Sequence, residues 1–460
     1  MRTKNFFMEE KIMKKILVIS AALLLASGLF VFTGCKKQQA QTGKVQITYS
    51  FWGTPDEGRA VQGVADKFNS QQNKIAVTVQ AIPHDVYEAT LNTRATAGTL
   101  PDCGIMSEAA TLQWATNGLL ADVSGMYAAG ESKPLDSLAF RGPDGKVVAY
   151  SVANEILLLY YNKDMFDKAG VPYPPSSADK AWTWDEFVAA AKRLTFDSNN
   201  RTPNDAGFNR NAIRQYGAMV ETLTWQLEVW ALSNGGGFYT PDGKQVIVDQ
   251  DAATEAIQKV ADLHLVHNVA PLSPGLSDDG IQRSIIAGTV AMATGGQWNV
   301  GTCLSTARDS EGLNYGVAVL PYMKNKVTIN TGGPNVVFSQ SKNQREAMDF
   351  LKWYAQEENA WGLIESGIWM PVLEKWYSDE TFTRKWVGNP AFPPYEEYKS
   401  AVVDFAMKHG KPAAWYYTNN TIDFNNLLQS VLGDVWTGQR TAKDAINAGI
   451  AALKRAHAGQ

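Results

Sequence analysis

The chain has 460 residues and a formal net charge of −4, from 42 basic and 46 acidic side chains, with 14 tryptophans. It has no long basic run, so nucleic-acid binding lacks electrostatic support. Its three cysteines, Cys35, Cys103 and Cys303, make neither a disulfide framework nor a zinc spacing.

Lys14 and Lys15 precede an uncharged, mainly apolar run of 17 residues, Ile16 to Phe32, which ends at Thr33-Gly34-Cys35. A basic start, an apolar centre and small residues before a cut site predict a secretory signal. A membrane-spanning helix wants about 20 residues, and Ser20, Ser27 and Gly28 weaken that reading further. A cysteine directly after small residues resembles a bacterial lipobox, with Phe32 where Leu is most common. By that resemblance residues 1–34 are removed, Cys35 is acylated, and 35–43 form a tether. Glu9-Glu10 is unusual in such a signal, and Met13 would open it as Met-Lys-Lys. Removing the five basic and two acidic side chains of residues 1–34 leaves 426 residues carrying 37 basic and 44 acidic groups, net −7. That length suits about two domains.

Val45 to Trp52 alternates and predicts a strand, broken at Gly53-Thr54-Pro55. Glu57 to Asn69 has helical spacing, Ile75 to Ile82 is strand-like, and Val86 to Ala97 predicts a helix ended by Gly98. A short buried strand spans Leu100 to Met106, followed by a helix to Asn117-Gly118. Strand and helix alternate, which predicts βαβ units and a largely parallel sheet. Ligands of such sheets sit beyond the strands' carboxyl ends, near Trp52, Asp56, Glu57, Ser107 and Glu108. Val147 to Tyr161 is strand-rich with one acid, Glu155. Thr183-Trp184-Asp185-Glu186 is a capping box opening a helix with Phe187, Ala190, Ala191 and Leu194 on one face. Asp197 to Gly207 is a surface loop without the Gly and Glu of a calcium loop. Helices are predicted over 211–232, 250–267, 343–365, 397–409, 421–436 and 441–456, with loop or strand at 288–300, 315–321 and 332–339.

No nucleophile elbow, P-loop, GxGxxG turn or HExxH is present. His264 and His267 share a helix face but lack a third metal ligand. Cys103 and Cys303 could pair outside the cytoplasm, with two buried thiols the favoured reading because Cys103 lies in a short apolar run. A glycosidase needs only two carboxylates, and no pair stands out. An extracytoplasmic chain without an enzyme signature favours a binding protein, with no cofactor or metal expected.

Several segments carry a resemblance in order and spacing. They are Phe51-Trp52-Gly53, Leu100-Pro101-Asp102, Glu155 with Tyr161-Asn162-Lys163-Asp164-Met165-Phe166, and Trp182-Thr183-Trp184-Asp185-Glu186-Phe187. Gly288-Thr289-Val290-Ala291-Met292 continues to Gly296-Gln297-Trp298, then Tyr315-Gly316-Val317, Leu320-Pro321 and Gly438-Gln439-Arg440-Thr441. Over the mature chain this resembles the extracellular solute-binding family that includes the maltose-binding protein and serves ABC importers. The resemblance implies an α/β fold of two lobes joined by a multi-segment hinge. It divides the chain as 44–152 with 332–374, and 153–331 with 375–460. It implies a carbohydrate ligand, importer permease subunits as partners, attachment to the membrane through the N-terminal lipid, a monomer, and no catalysis. Carried over residue by residue, the site is Trp52, Glu57, Ser107, Glu108, Glu155, Trp225, Trp298, Asn335 and Trp369. The family's last stacking aromatic has no clear counterpart; Phe424 and Trp415 are the candidates. Asp102 reads as a strand-end structural residue. A glycerol phosphate, also within the family's range, would need an arginine such as Arg59, Arg94 or Arg283 in the cleft.

Overall fold

The computed structural model describes residues 43–459 apart from 53–54, 84–85, 143, 273–281, 360 and 391. Residues 1–42, with Cys35, fall outside it. The described strands are, in chain order, β1 Val45–Trp52, β2 Ile75–Ile82, β3 Cys103–Ile105, β4 Ala139–Arg141, β5 Val147–Ser151, β6 Glu155–Asn162 and β7 Phe196–Asp197. There follow β8 Ile213–Met219, β9 Val290–Gly296, β10 Tyr315–Ala318, β11 Thr328–Thr331, β12 Pro334–Val337 and β13 Gly410–Pro412.

They build two sheets. One runs β2-β1-β3-β12-β5-β4 and the other β13-β11-β6-β9-β8-β7, with β10 also on β6. Alternation in β1 sends Ile47 and Tyr49 into the core, each 1% exposed. The pairs β1–β3, β8–β9 and β11–β13 are parallel, whereas β12 runs against both β3 and β5, and β6 against β9, β10 and β11. The sheets are thus mixed, not largely parallel. Strands that return from the other sheet, or close a hairpin as β4 and β5 do, enter in the opposite sense.

Three passages link the sheets. β5 ends at Ser151 and β6 begins at Glu155; β11 ends at Thr331 and β12 begins at Pro334. The third runs through Met370 to Leu373, bridged to Asn154 and Pro134. Gly332 makes the second passage possible: its φ is +145°, and a Cβ there would fall 2.2 Å from the Ala153 carbonyl oxygen. Asn154, fully buried, ties all three together. Its backbone exchanges hydrogen bonds with Met370 at 3.1 Å, its side-chain nitrogen donates to the Tyr377 hydroxyl at 2.9 Å, and its side-chain oxygen accepts from Asn330 at 2.8 Å.

The helices largely follow the expected spacing. α1 (Pro55–Gln71), α2 (Tyr87–Ala97) and α3 (Glu108–Thr116) intervene between the first strands and after β3. α4 (Trp184–Leu194) opens with the predicted box: Thr183 Oγ1 accepts from the Glu186 N–H at 3.2 Å, and the Glu186 carboxylate accepts from the Thr183 N–H at 2.8 Å. The predicted 211–232 helix is corrected. Residues 213–219 are β8, and helix begins only at α5 (Thr224–Ser233). The reason is close packing: Gly217 passes so near α4 that a Cβ would lie 1.9 Å from the Ala191 carbonyl oxygen. The 343–365 helix is likewise two pieces, α6 (Gln344–Tyr354) and Trp361–Glu365.

Asp102 is structural. It accepts from the Thr48 N–H at 2.8 Å and from Ser341 Oγ at 2.6 Å. Cys103 and Cys303 are both buried and are not joined in a disulfide. Among the described residues no His/Cys/Asp/Glu group suits a metal ion, and no helix is long and apolar enough to cross a membrane.

Candidate functional site

The carboxyl end of β9 turns sharply. A Cβ on Gly296 would lie 2.1 Å from the Trp298 ring, so glycine there lets the indole lie on the strand end. The Gly296 carbonyl accepts from the Tyr160 hydroxyl at 2.8 Å and from Asn299 Nδ2 at 2.9 Å. Gln297, fully buried, donates to the Gly367 carbonyl at 2.9 Å and to the Tyr398 hydroxyl at 3.0 Å. The turn is held on three sides, and Trp298 stays half-buried.

Trp225, in the first turn of α5, also keeps part of its surface exposed. Its ring centroid is 6.5 Å from that of Trp298 with planes 31° apart, and 5.2 Å from that of Trp415 at 55°. Three tryptophans from distant parts of the chain thus stand in a row. Trp415 belongs to a short turn, Ala414–Tyr416, just after β13. The other candidate, Phe424, is fully buried and packs on Tyr239 at 4.9 Å, so it is core.

Tyr416 ties this turn to the crossing. Its hydroxyl shares a hydrogen bond with Ser151 Oγ at 2.6 Å and donates to the Gly332 carbonyl at 3.2 Å, while its ring packs on Phe140 at 4.2 Å. Burial pushes the hydroxyl well above the ordinary tyrosine range, and the carboxylates of Glu108 and Glu155 add to it. Glu108, at the start of α3, and Glu155, at the start of β6, both lie within electrostatic reach of Tyr416. Burial, reinforced by the charge of Glu88, raises the Glu108 carboxyl above its usual range. Ser107 Oγ donates to the Glu88 carboxylate. Trp52 reaches the same neighbourhood through Tyr87, edge-on at 5.5 Å.

Trp225 thus adjoins both Trp298 and Trp415, Glu108 and Glu155 lie within electrostatic reach of Tyr416, and Ser107 and Trp52 adjoin Glu88 and Tyr87. The structure does not bring Asn335 there. Asn335 is 9% exposed, accepts from the Tyr49 hydroxyl at 2.7 Å, and lines an internal cavity with Tyr150 and Tyr354. A strand-end asparagine paired with a core tyrosine is satisfied where it stands. Trp369 is half-buried beside the third passage and packs on hydrophobic residues of both cores. Glu57 lies in the first turn of α1, and its side chain falls outside the described residues. Sequence reasoning overlooked Tyr87, Glu88 and Tyr416. The aromatic run Trp415-Tyr416-Tyr417 was the available signal for the last.

A sequence model described as bacterial extracellular solute-binding protein matches residues 63–393, more than half of the chain. The chain belongs to that family. This solute-binding protein is 25% identical over 379 residues to the maltodextrin-binding protein of Bacillus subtilis, covering 78% of this chain and 81% of that one. Over 262 residues it is 26% identical to a periplasmic sn-glycerol-3-phosphate-binding protein of Agrobacterium fabrum, covering 54% of each. A solved cyclic alpha-maltosyl-1,6-maltose binding protein from Arthrobacter globiformis superimposes with a TM-score of 0.73 at 23% identity, over 91% of this chain and all of that one. At that identity the superposition speaks for the two-lobed fold alone.

Proposed function

We propose that this solute-binding protein captures a neutral carbohydrate between lobes 44–152 with 332–374 and 153–331 with 375–460, and delivers it to an ABC importer. The observation that carries this reading is the row Trp298, Trp225 and Trp415 beside Glu108 and Glu155. Aromatic faces stack on the apolar faces of sugar rings, and carboxylates accept from pairs of hydroxyls. The named relatives include a maltodextrin binder, which supports the ligand class. A glycerol phosphate is disfavoured. Arg94 donates to the Gln80 amide at 2.6 Å, and the groups gathered here are aromatic and acidic. Function lies in closure by differential affinity, without chemistry on the ligand. The lipobox-like Gly34-Cys35 supports a lipid tether on the outer side of the membrane.

Thermal shift against glucose, galactose, maltose, maltotriose, xylotriose and glycerol 3-phosphate tests the ligand class, because a ligand bound only by the folded state raises the midpoint. A shift with sugars and none with the phosphate is expected. A shift with the phosphate alone would overturn the neutral assignment, and hydrolysis products from the oligosaccharides would point to a glycosidase instead. Acyl mass on Cys35, absent from Cys35→Ala, is expected in protein from the native host.

A further inference from the structure

Directly after Trp225 comes Gln226. It is 2% exposed, and among the described residues neither its amide nitrogen nor its amide oxygen has a hydrogen-bond partner. Gln226 lines a cavity of about 10 Å³ together with Leu157, Glu221, Trp230, Thr294 and Gly295. The place of this cavity is specific. Thr294 and Gly295 close the carboxyl end of β9, and Glu221 lies just past the end of β8, its parallel neighbour. The Glu221 N–H donates to Thr294 Oγ1 at 3.1 Å and seals one wall. Glu155 precedes Leu157 by two residues, and Trp298 follows Gly295 by three. The cavity therefore sits at the carboxyl ends of β8 and β9, where ligands of such sheets lie.

An unpaired buried amide is destabilising for each group left unsatisfied, so its presence calls for a partner that it meets in use. That partner must accept from Nε2 and donate to Oε1. A carboxylate only accepts and an ammonium only donates; a hydroxyl does both. The volume admits one such group and no ring. We infer that this pocket receives a single hydroxyl of the bound ligand, paired with Gln226, and that Gln226 thereby selects which hydroxylated ligands fit. This rests on the carbohydrate reading above. A site built to pair a hydroxyl rejects the analogue lacking it more strongly than an apolar pocket does.

The test takes the tightest-binding sugar of the panel and its monodeoxy analogues, titrated into the parent protein and into Gln226→Met and Gln226→Leu. Both variants remove the amide at similar volume. They are expected to melt no lower than the parent, since a buried unpaired group is gone, and to bind the sugar about tenfold or more weakly. One deoxy analogue should lose a similar factor with the parent and lose nothing further with Gln226→Met, the coupling expected of two groups in contact. Variants that bind as tightly as the parent, whether or not they melt lower, would overturn the inference and leave Gln226 a partner for ordered water. A parent indifferent to every deoxy substitution would overturn it as well, even if neither variant folded. A parent that binds no sugar of the panel removes the proposed function, and the inference with it.

Discussion

Two aromatic groups in this molecule use the same residue types to opposite ends. In the first sheet's core, Phe350 of α6 meets Tyr49 edge-on at 5.6 Å and Phe68 at 5.2 Å, with Trp353 against Phe68 at 5.1 Å. Phe350 is 1% exposed and Phe68 5%. In the second group, Trp225 lies beside both Trp298 and Trp415, yet Trp225 and Trp298 each keep a partly exposed face. The cluster spends its ring faces on neighbours, whereas the row leaves faces over. Backbone makes the difference. Gly296 carries no side chain and Trp415 lies in the short 414–416 turn, whereas the cluster sits between two helices, α1 and α6, and the first sheet.

The comparison breaks first at its core end. Phe350→Ala should cost about 3–5 kcal/mol, the range for a large aromatic removed from a filled core. Denaturant melts should show the midpoint falling at constant slope. Sugar affinity, measured where the variant is still folded, should be unchanged.

Trp298→Ala should do the reverse. Loss of a stacking face is expected to weaken sugar binding about 10- to 100-fold, or about 1–3 kcal/mol, with a melting temperature close to the parent's. Gly296→Ala should copy that loss, because its methyl group would displace the indole from the strand end. A Trp298→Ala protein that bound normally but melted far lower would place Trp298 in the core group, and the row would lose its function.

A subtler difference concerns a buried carboxyl at the passages between the lobes. Glu357 is 1% exposed, accepts from the Leu373 N–H at 3.2 Å, and has Lys375 at 3.9 Å. Burial pushes its carboxyl up to about 8 despite Lys375. With the folded value above the unfolded one, the native state holds the proton more tightly. Its penalty is therefore absent below the unfolded carboxylate range of about 4.3 and grows as pH rises toward 8. Glu357→Gln should gain stability over the parent across that window and level off above it. Melting curves between pH 4 and 9 would show this, and a pH-independent difference would contradict it.

The smallest effect lies on the surface. Thr183→Ala removes the cap of α4 and should cost about 1 kcal/mol, with sugar affinity untouched.

Where structure followed from neighbours in sequence, the chain was legible. The Thr183–Glu186 box is one example, because both hydrogen bonds of the cap close within four residues. The alternation of β1 is another, since its period alone assigns Ile47 and Tyr49 inward. The residues carried over by family resemblance are dispersed in sequence: Glu108, Glu155, Trp225 and Trp298 stand on or beside four separate elements, and nothing in their spacing joins them. Tertiary structure decided the rest. Residues 213–219 carry a glycine and scattered polar side chains, and they are a strand because β9 and α4 pack against them. Asn335 sits near the second passage in sequence, but the Tyr49 hydroxyl commits it to the core. Tyr416 meets Ser151 across 265 residues. Local hydrogen bonds and periodicity are written in short windows of sequence; pairing partners, ring neighbours and the burial of a carboxyl depend on chain segments hundreds of residues apart.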